Sequence, residues 1–395
     1  MIPVELDVVE RFGRVVARPW ADEVTGVQID SRRIAEGDLF VAVTSGRDFV
    51  EHALARGAAA TLVPEDAHAA LAGIASVVRE RSQARVVAIT GSTGKTSTKD
   101  ILFAMCAPHV RTLANEGNYN NELGVPLTLC RLEPDTELCI TELGMRGLGQ
   151  IAILASLAKP DLGVITNVGP VHLELVETIE NVARAKAELI DELRPGAVAV
   201  VPEEPLLEPY LTRDDIEIVR VDQSRELPFA TGYTAAHQLL NTRTALTVVE
   251  ALGLPLPDGE LHVEFSKLRE EELPLPGGGL LLNDCYNANP VSMRAALTHL
   301  DARAGAHRRL AVLGEMAELG ADAPAYHAEI GELVRGIGVQ VIAVGELARA
   351  YGGEWVATAG EAADRLRAEL RPGDVVLVKG SRSVGLEVVA ENLNR

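Results

Sequence analysis

The stretch Val86–Asp100, which reads VVAITGSTGKTSTKD, constrains the fold more than any other part of the chain. It begins with an apolar run rich in β-branched residues, passes through a loop with two glycines, and continues into a segment with apolar residues at helical spacing. A strand, a glycine loop and a helix in this order form a cradle in which backbone N–H groups and a helix N-terminus bind phosphate. The stretch therefore predicts an α/β fold with a nucleotide site at the end of a strand.

The loop also supplies the side chains that phosphate chemistry needs. Lys95 is placed to reach the β- and γ-phosphates, and the Thr96 hydroxyl to bind Mg²⁺. The spacing is shorter than in the common P-loop, because only Ser92 and Thr93 separate Gly91 from Gly94. The alternative is a tight strand-to-helix turn with a surface lysine. The agreement of strand, loop, Lys-Thr pair and helix favours the phosphate site.

Length, charge and cysteine usage exclude several classes of protein. With 395 residues the chain is too long for one ordinary core, so roughly two to three domains are expected. The net charge of −20 argues against non-specific binding to nucleic acid or to an anionic membrane surface. The four cysteines form no CxxC pair, which argues against a zinc knuckle. No apolar run approaches the ~18 residues of a membrane span, and no signal peptide is evident, so we expect a cytoplasmic protein.

Polar residues follow several strands predicted for the central part of the chain. Glu142 ends one apolar strand, and ligands of open α/β sheets bind at the carboxyl ends of strands, so Glu142 is expected to reach a phosphate-bound Mg²⁺. His172 follows another buried strand, and Lys186 lies on the helix predicted for residues 179–193. Lys186 is either a solvated helical lysine or, if CO₂ converts it to a carbamate, an oxygen ligand for a hard metal beside Glu142 and His172.

Other polar stretches stay open on the residues alone. Asp30-Ser31-Arg32 is either a solvated strand end or part of a site, and the four asparagines within residues 112–126 form either a plain loop or a polar pocket. From about residue 261, strands alternate with helices, which predicts a mostly parallel sheet. Lys379 and Arg382 follow the last of these strands, where a helix N-terminus would complement an anion.

With these stretches established, the chain resembles the Mur ligase family over essentially its whole length. That family's phosphate, metal and carbamate motifs are similar to four stretches of this chain: the shortened phosphate loop, ELGM from Glu142, VGPVHLE around His172 and ARAKAEL around Lys186. Four further stretches resemble the branch of the family that adds D-alanyl-D-alanine: NDCYNANPVSM, LGEMAELG, VKGSR and the asparagine loop. The Asp-Asn-Pro-Arg motif of the sister ligase is absent. The resemblance implies a three-domain α/β architecture. It comprises a small N-terminal UDP-substrate-binding domain (residues 1–82), a central P-loop ATPase-type domain (83–260) and a C-terminal Rossmann-like domain (261–395).

The resemblance implies an ATP-dependent, amide-forming and ADP-forming ligase of peptidoglycan synthesis that acts as a monomer. Its expected ligands are ATP, Mg²⁺, UDP-N-acetylmuramoyl-tripeptide and D-alanyl-D-alanine, with an N-carboxylysine at Lys186. The implied catalytic residues are Lys95, Glu142, His172 and Lys186, and the implied metal ligands are Thr96, Glu142, His172 and carbamylated Lys186. The implied nucleotide-binding residues are Gly91, Ser92, Thr93, Gly94, Lys95, Thr96, Ser97, Asn241, Arg269 and Asp284. The implied substrate-binding residues are Ser31, Arg32, Asn118, Asn120, Asn121, Asn287, Asn289, Lys379, Ser381 and Arg382.

Two other functions are kept as alternatives. The sister Mur ligase, which adds the third amino acid of the peptide, would share the phosphate loop and the metal site. A P-loop kinase or nucleotide-dependent regulator would use Lys95 for phosphoryl transfer to a hydroxyl, but it would not need Glu142, His172 and Lys186 together. A non-catalytic binding protein would need none of the metal ligands.

Overall fold

The computed structural model describes residues 1–393, and the N-terminal part of the chain forms a four-stranded sheet with the order β2-β6-β5-β4. The N-terminal strands are β1 (Val4–Glu5), β2 (Arg14–Ala17), β3 (Glu23–Val24), β4 (Gly26–Gln28), β5 (Asp38–Val41) and β6 (Ala60–Val63), and the helices are α1 (Leu6–Val9), α2 (Val50–Ala55) and α3 (Ala67–Arg81). β5 pairs in parallel with β4 and β6, β2 is antiparallel to β6, and β1 and β3 form a separate two-stranded ribbon. The small N-terminal α/β unit is confirmed.

The central part of the chain is built on a six-stranded parallel sheet with the order β12-β11-β10-β7-β9-β8. Its strands are β7 (Arg85–Thr90), β8 (Thr112–Ala114), β9 (Leu138–Glu142), β10 (Leu162–Ile165), β11 (Val198–Val201) and β12 (Glu217–Arg220), and a small parallel pair consists of β13 (Ala230–Thr231) and β14 (Glu260–Leu261). Its helices are α4 (Lys95–Cys106), α5 (Gly124–Leu129), α6 (Gln150–Ala158), α7 (Leu173–Val176), α8 (Ile179–Asp191) and α9 (Ala236–Leu252). β7, β9 and β10 therefore end side by side.

The C-terminal part forms a second six-stranded sheet with the order β15-β16-β20-β17-β18-β19. Its strands are β15 (Glu271–Leu275), β16 (Gly279–Asn283), β17 (Arg309–Gly314), β18 (Gln340–Val344), β19 (Glu354–Val356) and β20 (Val375–Lys379), and its helices are α10 (Pro290–Ala304), α11 (Ala323–Gly336), α12 (Ala359–Glu369) and α13 (Glu387–Leu393). Only β15 is antiparallel, so the predicted mostly parallel sheet is confirmed.

The N-terminal unit is less separate than the sequence suggests, because it shares a core with the central sheet. Leu71 and Ile74 of α3 belong to the same buried apolar cluster as Val86 of β7 and Ile151 of α6. By contrast, the buried residues of the two main C-terminal clusters all come from the C-terminal unit. The first two units thus have separate sheets but one continuous core.

The predicted boundary between residues 260 and 261 falls inside β14. Leu261 is buried in a cluster with Val87 and Ile89 of the central sheet, and Phe265 packs against that cluster. The central unit therefore extends to about Phe265, and the last two residues of the predicted C-terminal domain lie outside the described chain. None of the described helices combines the length and the apolar character needed to cross a membrane.

Candidate active site

The loop Gly91–Gly94 joins β7 to α4, and its two glycines are required by the backbone and by the available space. Their φ angles are +151° and +76°, a region that side-chain-bearing residues rarely adopt. A Cβ on Gly91 would lie 1.9 Å from the Thr166 hydroxyl, and a Cβ on Gly94 would lie 2.5 Å from Asn241 Oδ1. The close approach of Thr166 and Asn241 therefore allows only glycine at both positions.

Residues that follow β10 hold this loop in shape. Asn167 Oδ1 accepts hydrogen bonds from the backbone N–H groups of Ser92 (3.1 Å) and Thr93 (2.9 Å), and Asn167 Nδ2 donates to Thr93 Oγ1 at 2.6 Å. The Thr166 hydroxyl donates to the Thr93 carbonyl at 2.6 Å. Sequence reasoning missed Thr166 and Asn167, although their place directly after a buried strand is the signal that identified Glu142.

Glu142 lies at the end of β9, and each oxygen of its buried carboxylate accepts a side-chain hydrogen bond. The Thr96 hydroxyl donates to Oε2 and Asn120 Nδ2 donates to Oε1, each at 2.7 Å, while the Glu142 backbone N–H donates to Asn115 Oδ1 at 2.9 Å. Burial raises the pKa of Glu142, but the charges of Lys95 and Arg269 and these side-chain hydrogen bonds outweigh burial and bring the pKa below its ordinary value. Glu142 is therefore an ionised and oriented carboxylate.

Two cations lie close to this carboxylate. Lys95 begins α4, and its Nζ donates to the Gly91 carbonyl at 2.7 Å, so the ammonium covers the phosphate loop. Burial lowers the pKa of Lys95, and the charge of Arg269 adds to this effect while Glu142 opposes it. Arg269 comes from the segment that precedes β15, and its guanidinium lies 4.1 Å from the centre of the Tyr286 ring. The C-terminal segment thus adds positive charge to the central phosphate loop.

Lys186 is buried on α8 with only 1% of its surface exposed, so the interpretation as a solvated helical lysine is wrong. Burial lowers its pKa well below the ordinary value, and repulsion from Lys95 lowers the pKa further. Both effects favour the uncharged amine. The uncharged amine is the form that reacts with CO₂, so the structure provides the chemical condition for a carbamate.

His172 precedes α7 and is brought to the same site. Its φ is +56°, and its Nδ1 lies 2.5 Å from Glu318 Oε2 of the C-terminal unit. Burial lowers the pKa of His172, the Glu318 carboxylate opposes this effect, and the charges of Lys95 and Lys186 lower the pKa further. Because Nδ1 is engaged by Glu318, Nε2 is the nitrogen left for a ligand.

The donor set decides which metal the site could hold. The described residues contain no group of three or more His, Cys, Asp or Glu side chains that could hold a metal unaided. The site instead offers the Thr96 hydroxyl, the Glu142 carboxylate, one nitrogen of His172 and a lysine able to become a carbamate. Mg²⁺ is usually bound by one or two carboxylates together with substrate phosphates, so these residues fit a Mg²⁺ that the nucleotide helps to hold.

Comparisons with known proteins identify the family to which this chain belongs. Family models described as "Mur ligase family, catalytic domain", "Mur ligase middle domain" and "Mur ligase, glutamate ligase domain" match residues 23–93, 89–242 and 269–382. A protein of Mycobacterium tuberculosis (strain H37Rv) named UDP-N-acetylmuramoyl-tripeptide–D-alanyl-D-alanine ligase is 33% identical over 94% of this chain and 92% of its own length. This chain belongs to the Mur ligase family.

A relative with the same name in Bacillus subtilis is 29% identical over 98% of this chain and 97% of its own length. A crystal structure of MurF from Acinetobacter baumannii superposes with a TM-score of 0.85 at 25% identity, covering 100% of this chain and 99% of that chain. MurF ligase from Thermotoga maritima, solved with ADP, gives 0.80 at 26% identity, covering 93% and 96%. The three-domain Mur ligase fold is confirmed.

Of the predicted substrate residues in the first two units, only Asn120 is hydrogen bonded to Glu142. The Ser31 hydroxyl is 2.9 Å from His52 Nδ1, and Arg32 is an exposed side chain paired with Asp30. Asn121 Oδ1 accepts the backbone N–H of Gly124, the first residue of α5, at 3.0 Å, and Asn118 is exposed. Substrate binding by Ser31, Arg32, Asn118 and Asn121 stays a prediction.

At the C-terminal sheet, Lys379 does not offer a free positive charge. Its buried ammonium contacts Asp284 Oδ2 at 2.5 Å and donates to the Asn287 carbonyl at 3.0 Å, which neutralises both Lys379 and Asp284. The expectation that Lys379 complements an anionic ligand therefore needs correction, because Asp284 already does so. Nucleotide contact by Asp284 and substrate contact by the exposed Asn287 stay predictions.

The remaining C-terminal residues mainly support the local backbone. Asn289 caps α10 in a reciprocal arrangement with Ser292, and the Ser381 hydroxyl accepts the Ala317 backbone N–H at 2.8 Å. Arg382 is exposed and lies 3.5 Å from Glu387. These contacts support the local backbone of the C-terminal unit, and ligand contact by Asn289, Ser381 and Arg382 stays a prediction.

Glu270 is a further residue that sequence reasoning missed. Its Oε1 accepts a hydrogen bond from the predicted nucleotide-binding residue Ser97 at 3.3 Å, and its Oε2 is 3.3 Å from His237 Nε2 of α9. Burial raises the pKa of Glu270, but His237 and neighbouring hydrogen bonds outweigh burial and lower the pKa. No motif marks this glutamate, because its partners come from two helices that are distant in the chain.

Proposed function

We propose that this chain is an ATP-dependent ligase that joins D-alanyl-D-alanine to the terminal carboxylate of UDP-N-acetylmuramoyl-tripeptide and yields the pentapeptide precursor of peptidoglycan. The names of its relatives support the choice of substrates. One observation carries the chemistry. Lys95 and Thr96 begin α4 directly after the phosphate loop, the Thr96 hydroxyl donates to Glu142 Oε2 at 2.7 Å, and Lys186 is buried with 1% of its surface exposed.

The reaction joins two groups that do not react unaided. An oxygen of the tripeptide carboxylate attacks the γ-phosphorus of ATP, the bond from that phosphorus to the bridging oxygen breaks, and ADP leaves with that electron pair. The amine nitrogen of D-alanyl-D-alanine then attacks the carbonyl carbon of the resulting acyl phosphate. The carbon–oxygen bond to phosphate breaks, the nitrogen loses a proton, and an amide and inorganic phosphate are formed.

The protein contributes charge and orientation to the first step. Lys95 and the loop N–H groups stabilise the negative charge on the transferred phosphoryl group, which otherwise repels the carboxylate. Asn120 and Asn115 hold Glu142 in place. When bound by Thr96, Glu142, His172 and a carbamylated Lys186, Mg²⁺ would supply further charge neutralisation. Arg269 comes from the C-terminal unit, so closure of that unit over the phosphate loop completes the positive field.

An assay of ADP release tests the substrates. With UDP-N-acetylmuramoyl-tripeptide and ATP present, we expect ADP release to require D-alanyl-D-alanine. Stimulation by diaminopimelate or lysine with the corresponding UDP-dipeptide would instead identify the sister ligase. Hydroxylamine should trap the acyl phosphate as a hydroxamate. A phosphorylated product that resists hydroxylamine would indicate a kinase and contradict the proposal.

The role of Lys186 is tested by replacing its side chain and supplying a carboxylate from solution. Lys186→Ala should lose most of its activity and regain part of it with short carboxylic acids, because the cavity admits a carboxylate in place of the carbamate. Lys186→Met is the matched control, since its side chain fills the cavity and leaves no room for the acid. Full activity of Lys186→Ala, or equal rescue of both variants, would exclude a carbamate role.

We further propose that the enzyme acts as a monomer in the cytoplasm, where ATP and UDP-linked precursors are available. All the groups proposed for the chemistry come from one chain, which supports a monomer. Sedimentation at the protein concentration of the assay tests this proposal, and activity that appears only in a dimer fraction would contradict it.

A further inference from the structure

The motif LGEMAELG, which the proposed chemistry does not use, places Glu318 against the central unit. Glu318 Oε2 lies 2.5 Å from Nδ1 of His172. Two residues later, a Cβ on Gly320 would lie 3.5 Å from the backbone of Leu173 and Glu174, so this turn packs directly on the start of α7. The contact between Glu318 and His172 therefore lies within a close interface between two units.

The segment before Glu318 is fixed by buried hydrogen bonds. The Met316 backbone N–H donates to Nε2 of the fully buried His327 at 3.0 Å. The Ala317 backbone N–H donates to the Ser381 hydroxyl at 2.8 Å, and the Ser381 backbone N–H donates to the Glu315 carbonyl at 3.0 Å. The polypeptide on the N-terminal side of Glu318 thus has little freedom to move.

Both residues of the contact have an unusual backbone conformation. Glu318 has a φ of +63° and His172 a φ of +56°, which are left-handed values that residues other than glycine rarely adopt. Such conformations persist only where the surrounding structure requires them, and they cluster at functional sites. In both residues this conformation accompanies a side-chain contact across the interface.

We propose that Glu318 is a positioning residue that accepts the Nδ1–H of His172, fixes this tautomer and leaves the Nε2 lone pair for a metal ion. A carboxylate that holds the second nitrogen of a metal-binding histidine sets both the tautomer and the orientation of the ring. Because Glu318 belongs to the C-terminal unit, His172 is prepared only when that unit is docked. The metal part of this inference rests on the proposed function, whereas the tautomer does not.

¹⁵N NMR of the histidine rings in the metal-free full-length protein tests the tautomer directly. The chain has nine histidines, so the His172 signal is assigned by its absence from the spectrum of His172→Gln. We expect the wild type to carry the proton on Nδ1 and Glu318→Ala to shift toward the Nε2–H form. Glu318→Gln should keep much of the wild-type preference, because its amide oxygen can accept the same hydrogen bond. Asp322→Asn, a change at an exposed carboxylate in the same turn, should have no effect.

Equilibrium dialysis with Mn²⁺ and a non-hydrolysable ATP analogue provides a second measurement. Loss of a carboxylate behind a metal-binding histidine typically weakens metal binding by about 10–100-fold, so Glu318→Ala should show a loss in this range and Asp322→Asn none. An Nε2–H tautomer in the wild type, or an unchanged tautomer and Mn²⁺ affinity in Glu318→Ala, would overturn the inference. If the wild type binds no Mn²⁺, the proposed metal site and the metal part of the inference are both wrong. The NMR result still decides whether Glu318 fixes the ring of His172.

Discussion

The central unit meets its two neighbours through interfaces of opposite character. Toward the N-terminal unit the interface is a continuous apolar core, to which α3 contributes Leu71, Ile74 and Val78. Among the described residues of the C-terminal unit, none is buried in this core and only Tyr326 of α11 packs against it, while Ser97 contacts Glu270 and His172 contacts Glu318 through polar groups. A large apolar interface favours a permanent arrangement, whereas a smaller polar one permits relative movement. We therefore expect the first two units to unfold as one body and the C-terminal unit to be the part that can move relative to them.

The connection between the central and C-terminal units has features of a hinge. Leu268 and Glu270 flank Arg269 and both have left-handed φ angles, +62° and +55°. Just before them, the Ser266 backbone N–H donates to Asp100 Oδ2 of α4 at 2.8 Å. Hinges are short segments that absorb changes in φ and ψ between rigid bodies. A small backbone change at Leu268 or Glu270 would therefore move Arg269 relative to the phosphate loop.

The largest effect is expected from a cavity in the shared core. Ile74→Ala should lower the free energy of unfolding by about 2–5 kcal/mol, because Ile74 is fully buried on α3. Calorimetry combined with hydrogen exchange should show that the N-terminal and central units are destabilised together. The matched control is Leu366→Ala, which removes a fully buried side chain of the C-terminal core. If Ile74→Ala destabilised the N-terminal sheet alone, the shared core would not be a cooperative unit.

A loss of similar size, but in rate rather than in stability, is expected at the phosphate loop. Lys95→Ala should reduce kcat by about 10²–10³-fold, the usual result of removing one charge-stabilising group from an active site. The melting temperature should not fall, because burial and Arg269 already disfavour the charged lysine in the folded state. Single-turnover kinetics with a parallel melting curve make this measurement. A variant that retains its activity would refute the role of Lys95 in phosphate binding.

A smaller effect, which depends on pH, is expected at Lys186. The folded-state pKa of Lys186 lies well below its unfolded value of about 10.5, so between these two values the unfolded chain binds more protons than the folded chain. The stability of the wild type should therefore rise with pH in this range, while Lys186→Met lacks this contribution. Urea unfolding in CO₂-free and metal-free buffers should show Lys186→Met to be the more stable protein near neutral pH, with an advantage that shrinks as the pH approaches 10.5. An advantage independent of pH would show that Lys186 is not buried as a free amine.

The smallest effect is expected at the polar rim of the apolar interface. Arg33 of the N-terminal unit pairs with Glu116 at 3.2 Å, and both side chains are about half exposed. Exposed ion pairs contribute about 0–1 kcal/mol, so Arg33→Ala should change the free energy of unfolding by no more than that. Urea unfolding measures the change, and added salt should reduce it further. A loss as large as that of Ile74→Ala would mean that charge, rather than apolar packing, joins these two units.

Local patterns were sufficient to predict the elements that carry the chemistry. The phosphate cradle was predicted from the strand, the glycine loop and the Lys95-Thr96 pair. The carboxylate beside it was predicted from the apolar strand that ends in Glu142, because ligand sites lie where parallel strands end. Resemblance to a family, rather than spacing, singled out Lys186 for a carbamate. The substrate residues were less predictable, since Asn289 caps a helix, the Asn121 side chain accepts a backbone N–H, and Lys379 is paired with Asp284.

The sequence by itself predicted the strand, glycine loop and helix of the phosphate site and the alternating strands and helices of the C-terminal part, since these depend on near neighbours in the chain, whereas the three-domain architecture came from the resemblance to a family. Only the tertiary structure decided that α3 joins the central core, that Lys186 is buried, and that Glu318 meets His172 across 146 positions of sequence. The physical reason is that burial and contact between distant segments depend on how the sheets pack, and the periodicity of a single segment carries no information about its partner. The same packing sets the pKa values of Lys95, Glu142 and Lys186, and thereby the charges available for catalysis.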